Sequence, residues 1–208
     1  MIPVGFRMAL VLAGLALGGP AAAQAPPGPP PADPWEAPER FLGAWLRAGA
    51  FLPASGSLPD PHAQLCVGIG IGLRLIPFAT LEAEGGWMGR DFAAPGGTGG
   101  RASLSSRAVV LGLRLHHPLL GLEPSAFGGV AFLRSSLEVP AGAATGVETA
   151  LSTGFALGLG LDLPLGTSLA FGLDWRFLKA SASLDRLGGG PVALGGHSLG
   201  GAVRLYWP

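Results

Sequence analysis

The stretch that most resembles a catalytic motif is GHSLG at residues 196–200. It matches the G-x-S-x-G nucleophile elbow, in which a serine between a strand and a helix acts with a carboxylate and a histidine that follow it along the chain. Residues 201–208 contain no Asp, Glu or His. His197 and Ser198 are neighbours, so on a strand they would point to opposite faces. The match therefore does not predict a serine hydrolase.

An enzyme that modifies lipids is a better alternative, because it would need only a serine, a histidine and a carboxylate to meet near one rim of the fold. His197 suits the rim, but no partner set follows from the sequence. His116 and His117 are expected in a turn at the opposite end, exposed to solvent and not bound to a metal. The single cysteine, Cys66, allows no intrachain disulfide and is expected as a small inward-facing filler.

Charged residues recur within apolar stretches, and each takes the side opposite the large apolar residues. A charge removed from water needs an opposite partner, and the arginine guanidinium can bridge two carboxylates. These residues therefore predict a network of structural ion pairs, with an ion or proton pathway and a catalytic carboxylate pair as alternatives. The predicted set is Arg47, Arg74, Glu82, Glu84, Arg114, Asp162, Asp174, Arg176 and Arg204.

The alternation behind this set is clearest at residues 152–163, STGFALGLGLDL. Every second position from Phe155 to Leu163 holds a large apolar residue, and the positions between hold Gly, Ala or Asp162. Successive side chains on a strand point to opposite faces, so this is a strand with one apolar face and one small, polar face. Small residues suit the inside of a narrow closed barrel, and a leucine face suits lipid.

Seven other stretches alternate in a similar way, although Phe127 and Leu133 disturb whichever face of the fifth is taken as inward. Each is close to the nine to eleven residues that a tilted membrane strand needs. The sequence therefore predicts an all-β fold, an eight-stranded antiparallel up-and-down transmembrane β-barrel. The predicted strands are 41–52, 65–75, 78–88, 104–115, 125–133, 152–163, 168–178 and 198–207.

The connections are predicted to alternate in length. Those after the second, fourth and sixth strands are short and contain proline, whereas those at 55–62, 90–103, 138–148 and 180–196 are longer loops rich in small residues. Outer-membrane barrels have short periplasmic turns and longer outer loops. An even number of strands then places both ends of the barrel in the periplasm.

Composition agrees with a barrel that spans a membrane. The 208-residue chain is 49% hydrophobic and only 12% charged, with a mean hydropathy of +0.47, yet no run of about 18 uncharged apolar residues follows the N-terminus. A net charge of zero argues against nucleic acid as a partner. Arg7, an apolar run and an A-x-A site predict a signal peptide at 1–25, followed by a Pro/Ala-rich periplasmic lead-in at 26–40 and the barrel at 41–208.

Three segments, GLRLIPFATLEAEGGW, LEPSAFGGVAF and GLGLDLPLGTSLAFGLDWRF, resemble the small outer-membrane β-barrel family that includes the transmembrane domain of outer-membrane protein A. The resemblance extends over about residues 45–207 and implies a bacterial outer-membrane location. It also implies that the assembly machinery reads an aromatic residue at the C-terminus; here Trp207 is followed by Pro208.

The expected function is that of a non-enzymatic outer-membrane barrel with a closed, charge-filled lumen and a structural or surface-interaction role. The alternatives are an enzyme acting on lipid or lipopolysaccharide and a narrow channel for small solutes. Expected partners are outer-membrane lipid, lipopolysaccharide and the assembly machinery. We expect a monomer without cofactor or metal.

Overall fold

The computed structural model describes residues 41–53, 63–93, 100–141, 144–185 and 191–207. The predicted signal peptide, the predicted lead-in and the loop predicted at 55–62 lie outside the described residues. No helix in the described part of the chain is long and apolar enough to cross a membrane.

The described residues form nine antiparallel strands. Strand β9 pairs with both β1 and β7, and β7 pairs with β6, so that β1 to β7 and β9 close into a barrel. Strand β8 pairs only with one end of β7. This arrangement confirms the predicted eight-stranded barrel. The strands are β1 Leu42–Pro53, β2 Gln64–Ile76, β3 Ala79–Ala93, β4 Arg101–His116, β5 Glu123–Ala141, β6 Ala144–Leu165, β7 Leu169–Ser183, β8 Pro191–Ala193 and β9 Gly196–Trp207.

The outer face of the barrel is apolar because each strand turns its large aliphatic residues outward. The side chains of Ile69 and Leu157 are 67% and 48% exposed. The inner face has little room. The Trp45 indole lies across Gly70, its cross-strand partner, and a β-carbon at Gly70 would overlap the ring. Glycine on the inner face therefore lets large side chains fill a narrow barrel.

Two rows of exposed aromatic residues bound the apolar outer face. The row near the short turns is Phe41, Phe78, Phe171 and Trp207, and the row near the long connections is Trp87, Phe132 and Phe155. The two rows are separated by the stretch from Phe78, just before β3, to Trp87 on β3. This is roughly the length that a tilted strand needs to cross the hydrocarbon core. Such a band between aromatic rows is typical of membrane β-barrels.

The short connections predicted after the second, fourth and sixth strands are present. The connection between β4 and β5 is closed by a bridge between Leu119 and Leu122, with Leu120 and Gly121 at φ angles of 51° and 82°. Two central residues with positive φ match the twist of antiparallel strands in a tight turn.

At the other end, the strands extend further than predicted. The loop predicted at 138–148 is wrong, because β5 continues to Ala141 and β6 begins at Ala144, its paired partner. Strands β3, β4 and β7 likewise enter the segments predicted as loops at 90–103 and 180–196. The backbone ladder continues where lipid no longer requires apolar residues outward, so the apolar alternation ends before the strands do.

Candidate functional site in the barrel interior

Asp174 on β7 is the centre of one interior ion-pair group. Its two carboxylate oxygens accept hydrogen bonds from Arg114 Nη1 at 3.1 Å and from Arg204 Nη2 at 2.6 Å. Arg114 Nε also donates to Glu82 at 2.6 Å, and Arg204 Nε donates to Asp162 at 2.9 Å. Five strands, β3, β4, β6, β7 and β9, are therefore linked through the lumen by charge-assisted hydrogen bonds.

Glu84 on β3 is the centre of a second group, further from the short turns. Arg47 Nη2 donates to Glu84 Oε1 at 3.0 Å, and Arg176 Nη2 lies 2.9 Å from Glu84 Oε2. The Trp45 indole N–H donates to the same carboxylate at 2.9 Å. Arg176 also lies 3.7 Å from Glu82, which joins this group to the first.

The third group lies nearest the short turns and contains a residue that the sequence analysis did not include. Arg74 forms an ion pair with Glu123, the first residue of β5, which had been placed in a turn. Glu123 shares the inward face of β5 with Ser125 and Phe127, so extending the alternation toward the turn would have found it. With Glu123 added to the four predicted acids, five carboxylates face the five predicted arginines.

The position of His116 differs from the one predicted from the sequence. It is the last residue of β4 and is buried, whereas it had been expected in a solvated turn. His116 Nε2 lies within hydrogen-bond distance of Thr80 Oγ1, at 2.9 Å, and Nδ1 lies 3.5 Å from Glu123. The strand ends only after His116, so its inward side chain joins the lumen, and His117 is exposed as expected.

Aromatic rings lie against two interior guanidiniums that also contact carboxylates. The Arg176 guanidinium lies 4.5 Å from the centre of the Phe127 ring, and Arg204 lies 5.4 Å from that of Trp45. A ring face attracts a cation at these distances. Phe127 therefore faces inward, and the apparent irregularity of the fifth strand is a lumen contact.

The other half of the interior, toward the long connections, is apolar. Leu133 and Leu137 on β5 are 2% and 0% exposed, and Leu184, Val192 and Leu194 from the segment around β8 pack into the same cluster. A cavity of about 50 Å³ lies where the two halves meet. Its lining combines Arg47, Glu84, Arg176 and Ser198 with Cys66, Phe51 and Leu178. Cys66 is a buried free thiol, in line with its expected inward position.

The GHSLG stretch lies on β9, where its histidine and its serine point to opposite faces. Ser198 points inward and accepts a hydrogen bond from Arg47 Nη1 at 3.0 Å. His197 points outward, with its ring centre 4.9 Å from that of Phe177 and 5.7 Å from that of Trp175. The described residues contain no group of three or more His, Cys, Asp or Glu placed to hold a metal ion.

No family model and no curated protein matches this chain. Solved structures do match it. Outer membrane protein OprG from Pseudomonas aeruginosa is 15% identical with a TM-score of 0.57, and the match covers 82% of this chain and 98% of that one. Neisserial surface protein A is 12% identical with a TM-score of 0.55, covering 80% and 97%. Ail of Yersinia pestis, solved with the heparin analogue sucrose octasulfate, is 13% identical with a TM-score of 0.50, covering 80% and 99%. At these identities the likeness concerns the fold, and this chain has the fold of the small eight-stranded outer-membrane β-barrels.

Proposed function

We propose that this chain is a non-enzymatic β-barrel of the bacterial outer membrane with a closed interior and a structural or surface-interaction role. The short turns and both ends of the barrel face the periplasm, and the β5–β6 hairpin faces outward from the cell. Its partners are outer-membrane lipid, lipopolysaccharide and the assembly machinery, and it acts as a monomer without cofactor or metal.

The pairing of the interior charges carries this proposal. Asp174 and Glu84 each hold two guanidiniums, and the Arg114 side chain is 1% exposed. A solute or ion could pass only by breaking several of these pairs at once, each inside a region of low dielectric constant. The apolar cluster in the other half adds a second barrier, because its apolar side chains do not replace the water that a hydrated ion would lose.

The surface-interaction role is supported by the lengths of β5 and β6. They have 19 and 22 residues, whereas β1 and β9 have 12 each. Since about nine to eleven residues cross the hydrocarbon core, roughly half of this hairpin extends beyond it. An extended, paired hairpin presents a rigid surface outside the membrane, where a partner molecule would meet it.

Single-channel recording in planar lipid bilayers tests the closed interior. We expect the unmodified protein to show no steady conductance, whereas Glu84→Ala, which leaves Arg47 and Arg176 without their shared partner, should produce a leak. Asp91→Ala on the outer face of β3 is the matched control and should stay silent. A large, steady current from the unmodified protein would establish instead that these charges line a pore.

A further inference from the structure

Two exposed arginines lie side by side on the outer wall of the barrel. Arg107 on β4 and Arg134 on β5 are direct cross-strand partners, and both side chains are exposed. Among the described residues, neither takes part in an ion pair or a side-chain hydrogen bond. Like charges directly opposite each other destabilise a sheet. This pair therefore points to an anion that is bound from outside.

The depth of the pair in the membrane identifies where that anion would come from. Arg107 is the cross-strand partner of Trp87, a member of the aromatic row near the long connections. Val109 on β4 and Phe132 on β5 lie on the membrane side of the two arginines and are exposed apolar residues. Aromatic rows lie at the level of the lipid headgroups. The two guanidiniums are therefore at the depth of lipid phosphates.

A groove of about 780 Å³ begins at the arginine pair. Its exposed lining includes the apolar residues Val109, Phe132 and Leu151 and the hydroxyl-bearing residues Thr153 and Ser181. The groove lies beside the place where the pairing of β6 with β7 ends, at Gly154 and Ala180. It therefore offers cations, hydroxyl groups and an apolar surface in one concavity.

We propose that this groove binds a phosphorylated glycolipid of the outer leaflet. The two guanidiniums hold one phosphate, because the planar arginine fork matches phosphate geometry. Val109 and Phe132, on the membrane side of the arginines, contact the acyl chains, and the exposed hydroxyl groups contact the sugar. A lipid fits better than free phosphate because the apolar part of the groove continues into the lipid-facing wall. This inference rests on the proposed function, which names lipopolysaccharide as a partner, and it assigns that partner to one site on the outer wall. The lipid-binding experiment stands apart from the conductance experiment, because a conducting barrel could also hold the lipid.

Native mass spectrometry of the full chain in neutral detergent tests the site, with hexa-acylated, bisphosphorylated lipid A as the probe. We expect Arg107→Gln/Arg134→Gln to weaken binding by about tenfold or more, because two charge-assisted contacts are lost. Arg101→Gln/Lys179→Gln removes the same charge from exposed positions of β4 and β7 outside the groove, and it should change the affinity by less than about twofold. Lipid A without phosphates should bind the unmodified protein as weakly as the probe binds the groove variant.

Thermal unfolding gives an independent readout. Without lipid, Arg107→Gln/Arg134→Gln should unfold at the same or a higher temperature than the unmodified protein, since the repulsion between like charges is removed. With lipid A, the unmodified protein should be stabilised and this variant should not. If both double variants weakened lipid A binding equally, the binding would depend only on overall positive charge, and the proposal would be overturned. Equal binding of the lipid with and without phosphates, or its displacement by millimolar inorganic phosphate, would also overturn the proposal.

Discussion

The two halves of strand β4 show opposite polarity in one unbroken register. From Val109 to Leu115 the outward residues are apolar, and Arg114 points into the lumen. From Arg101 to Arg107 the outward residues are serine or arginine, while Ala102 and Leu104 point inward and are 0% and 2% exposed. The backbone pairing with β3 and β5 continues through both halves.

This difference shows that the medium outside the wall decides what fills the inside. Where lipid surrounds the barrel, the outer face must be apolar, and polar groups are left to pair with one another in the lumen. Where water surrounds it, the outer face is polar and the inside packs as an ordinary hydrophobic core. The outward face of β4 changes from apolar to polar between Val109 and Arg107. This is also the level of the aromatic row that contains Trp87.

The largest loss of stability should come from a substitution in the charged half of the barrel interior. Asp174→Ala leaves Arg114 and Arg204 without their shared carboxylate, and stranding a buried charge should lower the free energy of unfolding by about 3–5 kcal/mol. Urea unfolding of the protein folded in lipid vesicles measures this. Asp91→Ala removes an exposed acid from the outer face of β3 and should change stability by less than about 0.5 kcal/mol. Equal losses for the two variants would contradict the network.

In the apolar half, Leu133→Ala should lower the free energy of unfolding by about 2–5 kcal/mol, because it leaves a cavity in a packed cluster. Unlike Asp174→Ala, this variant strands no charge, so it should not open a conductance in planar bilayers. Leu151→Ala is the control on the neighbouring strand, since that side chain is 79% exposed. A loss at Leu151 as large as that at Leu133 would show that the inward face of this half is assigned wrongly.

The change of medium along the wall is tested by placing the same charge at two levels of β6. Leu157→Arg puts a cation on the lipid-facing part, where we expect a loss of about 2–4 kcal/mol in bilayers. Val147→Arg puts it on the same face beyond the membrane, where the effect should be close to zero. Unfolding in vesicles measures both, and comparable losses at the two positions would place the boundary elsewhere.

The membrane-spanning part of this fold is readable from sequence because two media impose a strict alternation there. Large outward residues such as Leu157 and Ile69 identify the lipid face. The small or charged residues that alternate with them along each strand identify the lumen. Beyond Arg107 the alternation reverses, so Leu133 and Leu137 resemble lipid-facing residues although they point inward. A prediction that requires apolar outward residues along the whole strand therefore ends the strands too early, as it did for the loop predicted at 138–148.

The partners within the lumen could not be derived in the same way. Which arginine meets which acid depends on the stagger of eight strands around the barrel, and a single-strand pattern carries no such information. Asp174 contacts Arg114 on β4 and Arg204 on β9, which are distant in sequence from it and from each other. Glu123 was missed because Pro124 follows it and suggested a turn, whereas β5 and its pairing with β6 already begin at Glu123.

The smallest expected effect concerns Ser198, and it separates a lumen hydrogen bond from a catalytic one. Ser198→Ala removes the acceptor of Arg47 Nη1, but Arg47 keeps Glu84, so the loss of stability should be about 1 kcal/mol. Ser106→Ala, which breaks a 2.7 Å hydroxyl contact with Ser135 in the other half, should cost a similar amount and serves as the control. A serine-directed fluorophosphonate should label neither serine in the folded protein, and ester hydrolysis should stay at background in both variants. His197 cannot activate Ser198, since its ring lies on the outer face against Trp175 and Phe177. Labelling of Ser198 in the folded barrel would require a base inside the lumen and would make this chain an enzyme.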